Sequence, residues 1–207
     1  MVSDHRGPAE LTATVDLHAV QALANLAPLV FEVAQSPADR DAVLRMRYET
    51  VVEEGWATPE DHPDGRERDE YDDEAVFIVC RDAGEIVGSM RLVPPSLSRP
   101  LPTEREFGIR ARPAGQVPEV GRIIVTPAAR PGRSHLVLGG LCARGWLEAR
   151  AHGYDRAIST AASEVIDFYR SVGMHITVLG PAQLHWGAQR VPIEVMGDET
   201  SFAFLAG

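Results

Sequence analysis

The sequence predicts an α/β fold, a three-layer sandwich in which helices flank a central mixed β-sheet. Three observations predict it. Residues 75–93 read as a β-hairpin, two apolar runs joined at Asp82-Ala83-Gly84-Glu85. A buried strand over residues 119–126 leads through an Arg/Gly turn, Arg130-Pro131-Gly132-Arg133, into a helix over 134–152. A strand over 154–160 and a helix over 163–172 continue the alternation, which is the pattern of packed α/β layers.

Each element has a local cause. Residues 1–30 read as a polar N-terminal arm with a short helix over 15–26, and residues 31–207 as a single domain. Phe31-Glu32-Val33-Ala34 makes a first strand. Ser36 caps a helix whose Pro37 occupies the first turn, where a missing N–H is harmless. Leu44, Tyr48, Val51 and Val52 then recur at helical spacing up to Gly55. Residues 94–118 hold six prolines and little periodicity around an isolated Phe107, so a long surface or lid loop is expected there. Ser163 is expected to cap the helix over 163–172 and Gly173 to end it. Strands near 176–179 and 190–195 finish the chain.

At 207 residues, 44% hydrophobic and 24% charged, the chain has the size and mixture of one domain with a substantial core. A net charge of −10 lacks the basic excess of a phosphate-binding surface, so nucleic acid is not an expected partner, whereas cationic or zwitterionic small ligands are. Cys80 and Cys142 are too few for a disulfide framework and lack metal-ligand spacing. Packed, reduced thiols, a cytoplasmic location and no metal follow as expectations. No apolar run approaches the roughly 20 residues that span a bilayer. The Met1-Val2-Ser3-Asp4 start has no basic stretch leading into an apolar core, and no membrane association is expected. All 20 Lys+Arg residues are arginine, which excludes a pyridoxal-phosphate Schiff base and a lysine nucleophile.

The chemistry concentrates in Glu67-Arg68-Asp69-Glu70-Tyr71-Asp72, immediately before the hairpin. Carboxylates this dense exceed what solubility requires if Arg47, Arg91 and Arg122 lie inside the fold. Arg47 sits between Leu44 and Val51 on an apolar stripe, and a guanidinium pointed into a core needs carboxylate or ligand partners. The alternative is an arginine that snorkels to the surface. Together these residues read as a cation-binding and acid/base site. Strict alternation would put Glu119 and Arg122 on opposite faces of their strand, but a bulge at Gly121 would reunite them. A structural Glu–Arg pair is the competing reading. His135, His175 and His185 are scattered singly and read as packed or surface residues.

Val125-Thr126-Pro127, Arg130-Pro131-Gly132-Arg133 and Phe168-Tyr169-Arg170-Ser171-Val172-Gly173-Met174 resemble the GNAT acyltransferase fold, which implies a splayed central sheet. Within that fold, Arg47 with Trp56, Glu67-x-Asp69-x-x-Asp72, Gly88-Ser89-x-Arg91-Leu92 and Glu119-x-x-Arg122 are similar to the acyl-homoserine-lactone synthases, the autoinducer synthases of bacterial quorum sensing. The similarity runs from about residue 31 to 195. It implies an acyltransferase that moves an acyl chain from acyl carrier protein to the amine of S-adenosylmethionine, then closes a lactone and expels methylthioadenosine. S-adenosylmethionine would be the substrate, with no permanently bound cofactor, no pyridoxal phosphate and no metal. Glu119, Asp69 and Arg122 take the catalytic positions, Glu119 as the base, because an ammonium has no lone pair until it is deprotonated. Arg47, Trp56, Glu67, Asp72, Arg91, Phe107 and Thr160 take substrate-binding positions, Trp56 offering a π face to a cation. The turn at 130–134 departs from the usual pattern: Pro131 lacks an N–H and the second glycine is missing, so a coenzyme A pyrophosphate would be held less well than in an ordinary acetyltransferase.

Three other readings stay open. An N-acyl amino acid synthase would acylate an ordinary amino acid, although Trp56 favours the sulfonium-bearing substrate. Cyclisation of S-adenosylmethionine to 1-aminocyclopropane-1-carboxylate without pyridoxal phosphate gains ground if Arg144, Arg150 and Arg156 form no basic patch for an acidic carrier protein. A non-catalytic, ligand-binding GNAT fold is the last.

Overall fold

A computed structural model describes residues 8–207, so the Met1-Val2-Ser3-Asp4 start lies outside the described residues. Among the described residues eight strands form the sheet: β1 (Val30–Val33), β2 (Val76–Asp82), β3 (Glu85–Val93), β4 (Glu119–Val125), β5 (Arg156–Ala161), β6 (His175–Val178), β7 (Gln183–His185) and β8 (Ala188–Met196). Their order is β1-β2-β3-β4-β5-β8-β6, with β7 paired to β8 off that path. β4 and β5 are parallel and the other pairs antiparallel, so the sheet is mixed as expected.

Alternation along β2 builds the two faces. Ile78 and Cys80 enter one core with α1 (Pro8–Asn25), α4 (Ser134–Ala151) and α5 (Ser163–Ser171). Phe77 and Val79 enter another with Val43 of α2 (Pro37–Glu53) and with Leu101, Ala111 and Val117. Helix α4 carries glycines that lower its intrinsic stability by about 1 kcal/mol each relative to alanine. Their positions explain them: a Cβ on Gly140 would lie 2.1 Å from the Phe31 ring, and one on Gly145 2.6 Å from Met90 Sδ. The glycines let α4 lie directly on the sheet.

The arm helix expected over 15–26 runs Pro8–Asn25, and Val15, Ala19 and Ala22 are fully buried in the same core as α4. It therefore helps to wall the interior, although the stretch reads as polar. Ser36 Oγ accepts the Asp39 N–H at 3.0 Å, capping α2 as expected. At α5 the expectation fails: Ala162 is the cap residue, without a side-chain bond, and Ser163 is already helical. Gly173, at φ +78°, does end that helix.

The largest correction concerns residues 94–118. Only part of this segment is a surface loop, with Leu97 and residues 112–116 exposed. It contains α3 (Pro102–Phe107), and Leu101, Thr103, Glu104, Phe107, Ala111 and Val117 are buried. A segment broken by prolines can be buried only if its backbone polar groups find partners. Glu104 supplies them: its Oε2 accepts the Leu101 N–H at 2.9 Å and its Oε1 the Ala111 N–H at 2.8 Å.

Candidate active site

Strand β4 decides the site. Its ladder with β5 is reduced to one bridge, Glu119 opposite Ile158, so the sheet splays there. On the other side, Ser89 pairs Ile124 while Arg91 pairs Gly121, so β4 has one residue more than β3 over the same span. This is a β-bulge, and its strained residue is Arg122, at φ +50°, rather than Gly121. Gly121 still matters as the unencumbered neighbour. The bulge turns Arg122 toward the acidic segment, which strict alternation would have forbidden.

Arg47 is 1% exposed, which excludes the snorkelling alternative. Its Nη1 and Nη2 clasp Asp72 at 2.8 and 3.2 Å, and its Nε and Nη2 engage Glu67. Arg91 Nη1 donates to Asp69 at 2.6 Å and to Asp72 at 2.8 Å. Arg122 Nη2 donates to Glu67 at 3.0 Å and to Asp69 at 3.3 Å. Three guanidiniums thus interlock with three carboxylates, each neutralising the charge that would be costly to bury alone. Burial works to raise the Asp72 pKa, but the Arg47 and Arg91 charges outweigh it and hold the group below the usual carboxylate range. Burial lowers the Arg122 pKa, opposed by Glu67 and reinforced by Arg91.

Glu119 stands apart from this cage. It is buried, and its Oε2 accepts the Thr103 N–H of α3 at 2.7 Å. Burial pushes its carboxyl up to about 7, against the lowering effects of the Thr103 hydrogen bond and of Arg91 and Arg122. A carboxyl that titrates near neutrality can take and give protons at physiological pH.

Asp69, Arg91, Glu119, Arg122 and Thr160 converge on one cavity of about 230 Å³. Arg47, Glu67 and Asp72 stand behind its wall as the brace for Arg91 and Arg122, because every nitrogen of Arg47 is already committed to a carboxylate. Trp56 is also off the wall: it is 38% exposed, lies over the Gly187 backbone and has Arg190 Cζ 5.5 Å from its ring. Phe107 is buried behind His185, ring centroids 5.9 Å apart.

The sequence reading did not single out Trp186 and took His185 for a packed or surface residue, whereas both line the cavity from the β7–β8 hairpin. The tip residues Trp186 and Gly187, at φ +51° and +67°, make the tight turn. Trp186 lays its ring 4.2 Å from Arg122 Cζ and meets Trp56 edge-on at 6.2 Å. His185 is thus a cavity residue; burial lowers its pKa, opposed by Glu106 at 3.4 Å. The available signal was Trp186-Gly187 itself, a large aromatic at a turn.

Arg144, Arg150 and Arg156 form no free basic patch, since each has a carboxylate within 4.0 Å: Glu148, Asp16, and Asp155 with Glu194. At the 130–134 turn, Arg130 and Arg133 are paired with Glu54 and Asp82. Burial pushes the Cys80 and Cys142 thiols up to about 12, so both are packing residues. Among the described residues, no cluster of three or more His, Cys, Asp or Glu could hold a metal ion, and no helix is long and apolar enough to cross a membrane.

Residues 46–139 match the family model of the acetyltransferase (GNAT) domain. The structure is similar to TofI, solved in a ternary complex with an inhibitor and MTA, at 26% identity and TM-score 0.68 over 86% of this chain and 95% of that one. It is similar to BjaI, a CoA-dependent acyl-homoserine lactone synthase solved with SAM and isopentyl-CoA, at 24% identity and TM-score 0.67 over 82% of this chain and 81% of that one. FeeM, an N-acyl amino acid synthase from uncultured soil microbes, matches at 16% identity and TM-score 0.62 over 86% of this chain and 94% of that one. The fold is therefore the one shared by acyl-homoserine-lactone synthases and an N-acyl amino acid synthase, and residues 46–139 resemble the acetyltransferase (GNAT) domain.

Proposed function

We propose that this protein consumes S-adenosylmethionine in the manner of an autoinducer synthase, acylating its amine and then closing the lactone with release of methylthioadenosine. The observation that carries this reading is that Glu119, with its carboxyl pushed up to about 7, opens on the same cavity as Arg91 and Arg122. A zwitterionic α-amino head group needs such a pairing. The guanidiniums take its carboxylate, and Glu119 takes the ammonium proton. Arg91 has donors to spare, since its Nε is buried without a hydrogen-bond partner, and the hydrogen bonds of Arg122 among the described residues use only Nε and Nη2.

In this mechanism the freed amine attacks the thioester carbonyl, the amide forms and the thiol leaves with a proton. The substrate carboxylate then attacks the carbon γ to it, the C–S bond of the sulfonium breaks, and neutral methylthioadenosine departs with the electron pair. Trp186 and the braced arginines hold the head group still for both steps. The two buried thiols accord with a cytoplasmic setting.

A second reading is favoured by the neutralised Arg144, Arg150 and Arg156, which offer an acidic carrier protein no basic landing site. Here Glu119 removes the α-proton and the carbanion displaces methylthioadenosine within the same molecule, giving 1-aminocyclopropane-1-carboxylate. Incubation with S-adenosylmethionine, with and without acyl carrier protein or coenzyme A thioesters, followed by mass analysis separates the two. An acyl lactone formed only with a thioester supports the first. Cyclopropane amino acid formed without one replaces it with the second, and no methylthioadenosine under any condition refutes both.

A further inference from the structure

Acyl transfer at this site does not balance its protons on Glu119 alone. Turning an ammonium and a thioester into an amide and a thiol takes two protons from nitrogen and returns one to sulfur. One proton per turnover therefore has to leave the cavity. Glu119 holds a single proton at a time and is buried. A second acceptor with access to solvent is required.

His185 has that placement. It lines the cavity of about 230 Å³ together with Glu119, Asp69 and Arg122, yet its side chain is 21% exposed. Phe107 and Trp186 meet the ring edge-on, with centroids 5.9 and 6.1 Å away, and hold its plane. Arg190 Nε donates to the His185 carbonyl at 3.1 Å, which fixes the backbone beneath it. Glu106 Oε1 lies 3.4 Å from Nδ1. A carboxylate there favours the tautomer with the proton on Nδ1 and leaves Nε2 as the acceptor, the arrangement in which a third group orients a base.

The charged groups around the ring are Glu106 from α3, Arg122 from β4 and Arg190 from β8, with Glu119 and Asp69 lining the same cavity. Burial lowers the imidazole pKa, Glu106 opposes it, and Arg190 and Arg122 reinforce it. The ring is thus neutral at neutral pH, the state a proton acceptor needs.

The geometry points to His185, oriented by Glu106, as the second proton acceptor of the acyl-transfer step. This inference rests on the acyl-transfer reading of the same site. Glu119 takes the first proton from the ammonium, and the freed amine adds to the thioester carbonyl. Nε2 of His185 takes the second proton from the nitrogen of the adduct. As the C–S bond breaks, the thiolate departs with the electron pair and takes the proton held by Glu119, which restores the base. The imidazolium then gives its proton to water at the open edge, where the Glu106 side chain is 47% exposed.

The test compares the wild type with His185→Gln and Glu106→Gln. Amide formation from S-adenosylmethionine and acyl carrier protein or coenzyme A thioesters is measured with and without added imidazole, and the His185 ring is titrated by NMR. His185→Gln is expected to lower kcat by about 10²-fold, to leave KM for S-adenosylmethionine within about threefold, and to regain about tenfold in imidazole. Glu106→Gln alters a half-exposed side chain, so it decides the matter if His185→Gln does not fold. Without the carboxylate that raises it, the His185 titration should move to lower pH, and kcat should fall by about three- to tenfold. An unchanged kcat in His185→Gln, a loss that imidazole does not restore, or a Glu106→Gln variant with both titration and kcat unchanged overturns the inference and leaves the acyl-transfer reading intact. Absence of amide from every thioester with the wild type refutes that reading, and the role of His185 falls with it.

Discussion

The carboxylate of Glu119 is held by the backbone N–H of Thr103 at 2.7 Å, which links the central strand to the one short helix inside a proline-rich segment. This bond leaves the second carboxylate oxygen available to the cavity that Arg91 and Arg122 also line. It makes α3 part of the site.

Glu119→Gln is expected to leave S-adenosylmethionine binding within a few-fold of the wild type and to lower turnover by about 10²- to 10⁴-fold. Calorimetry and methylthioadenosine release measure the two effects. Unchanged turnover would remove Glu119 from the mechanism.

The pH profile follows from the same group. Glu119 must be ionised to act as base, and its carboxyl sits at about 7, so activity should rise through that pH and level off above it. A rise centred near the ordinary glutamate value of 4.5 would instead mean that the group is hydrated in solution.

Stability should run the opposite way. A folded-state pKa raised from 4.5 to about 7 favours the protonated form in the native state. The stabilisation is fully present below 4.5 and is lost as pH rises through 7, a difference of about 3 kcal/mol. Glu119→Gln cannot titrate, so its stability relative to the wild type should improve between pH 5 and pH 8 in urea denaturation. An identical pH dependence for both proteins contradicts this.

Arg47 carries the brace rather than the substrate. Arg47→Met strands Glu67 and Asp72 without their main partner and should destabilise by about 3–5 kcal/mol, the usual effect of breaking a buried ion pair. Arg45→Ala, which removes an exposed pair with Asp41 one helical turn away, should have no measurable effect on the melting curve.

Trp186→Ala frees Arg122 from the ring that covers it and should raise KM for S-adenosylmethionine by about tenfold, with kcat less affected. Trp186→Phe keeps a π face and should recover most of the loss. Trp56→Ala removes a ring that lies off the cavity wall, against Trp186, Gly187 and Arg190, and should shift KM less. A larger effect at Trp56 than at Trp186 would restore Trp56 as the cation contact.

Much of this was written in local pattern. The hairpin β2–β3, the Ser36-Pro37 cap and the Gly173 stop follow from rules that act over a few residues. Glu67-x-Asp69-x-x-Asp72 together with three arginines already implied charges that must meet, since buried guanidiniums require partners. Residues 94–118 were illegible because Glu104, not periodicity, makes them foldable, and a side chain that satisfies two backbone N–H groups leaves no repeat to read. The helix expected in the polar-looking N-terminal arm gave no sign of its place in the core, because its small residues, Ala19 and Ala22, bury well without raising the local hydrophobicity.

By itself, then, the amino-acid order determined the layers of the sandwich and the residue types of a charged site, because propensity, capping and alternation are short-range. Only the tertiary structure decided which charges brace and which face the cavity, that the bulge strain falls on Arg122, and that His185 and Trp186 line the cavity. Those outcomes depend on contacts between residues far apart in the chain, such as His185 with Glu106 and Arg122 with Glu67, and on burial that raises or lowers a pKa only once the chain has closed around it.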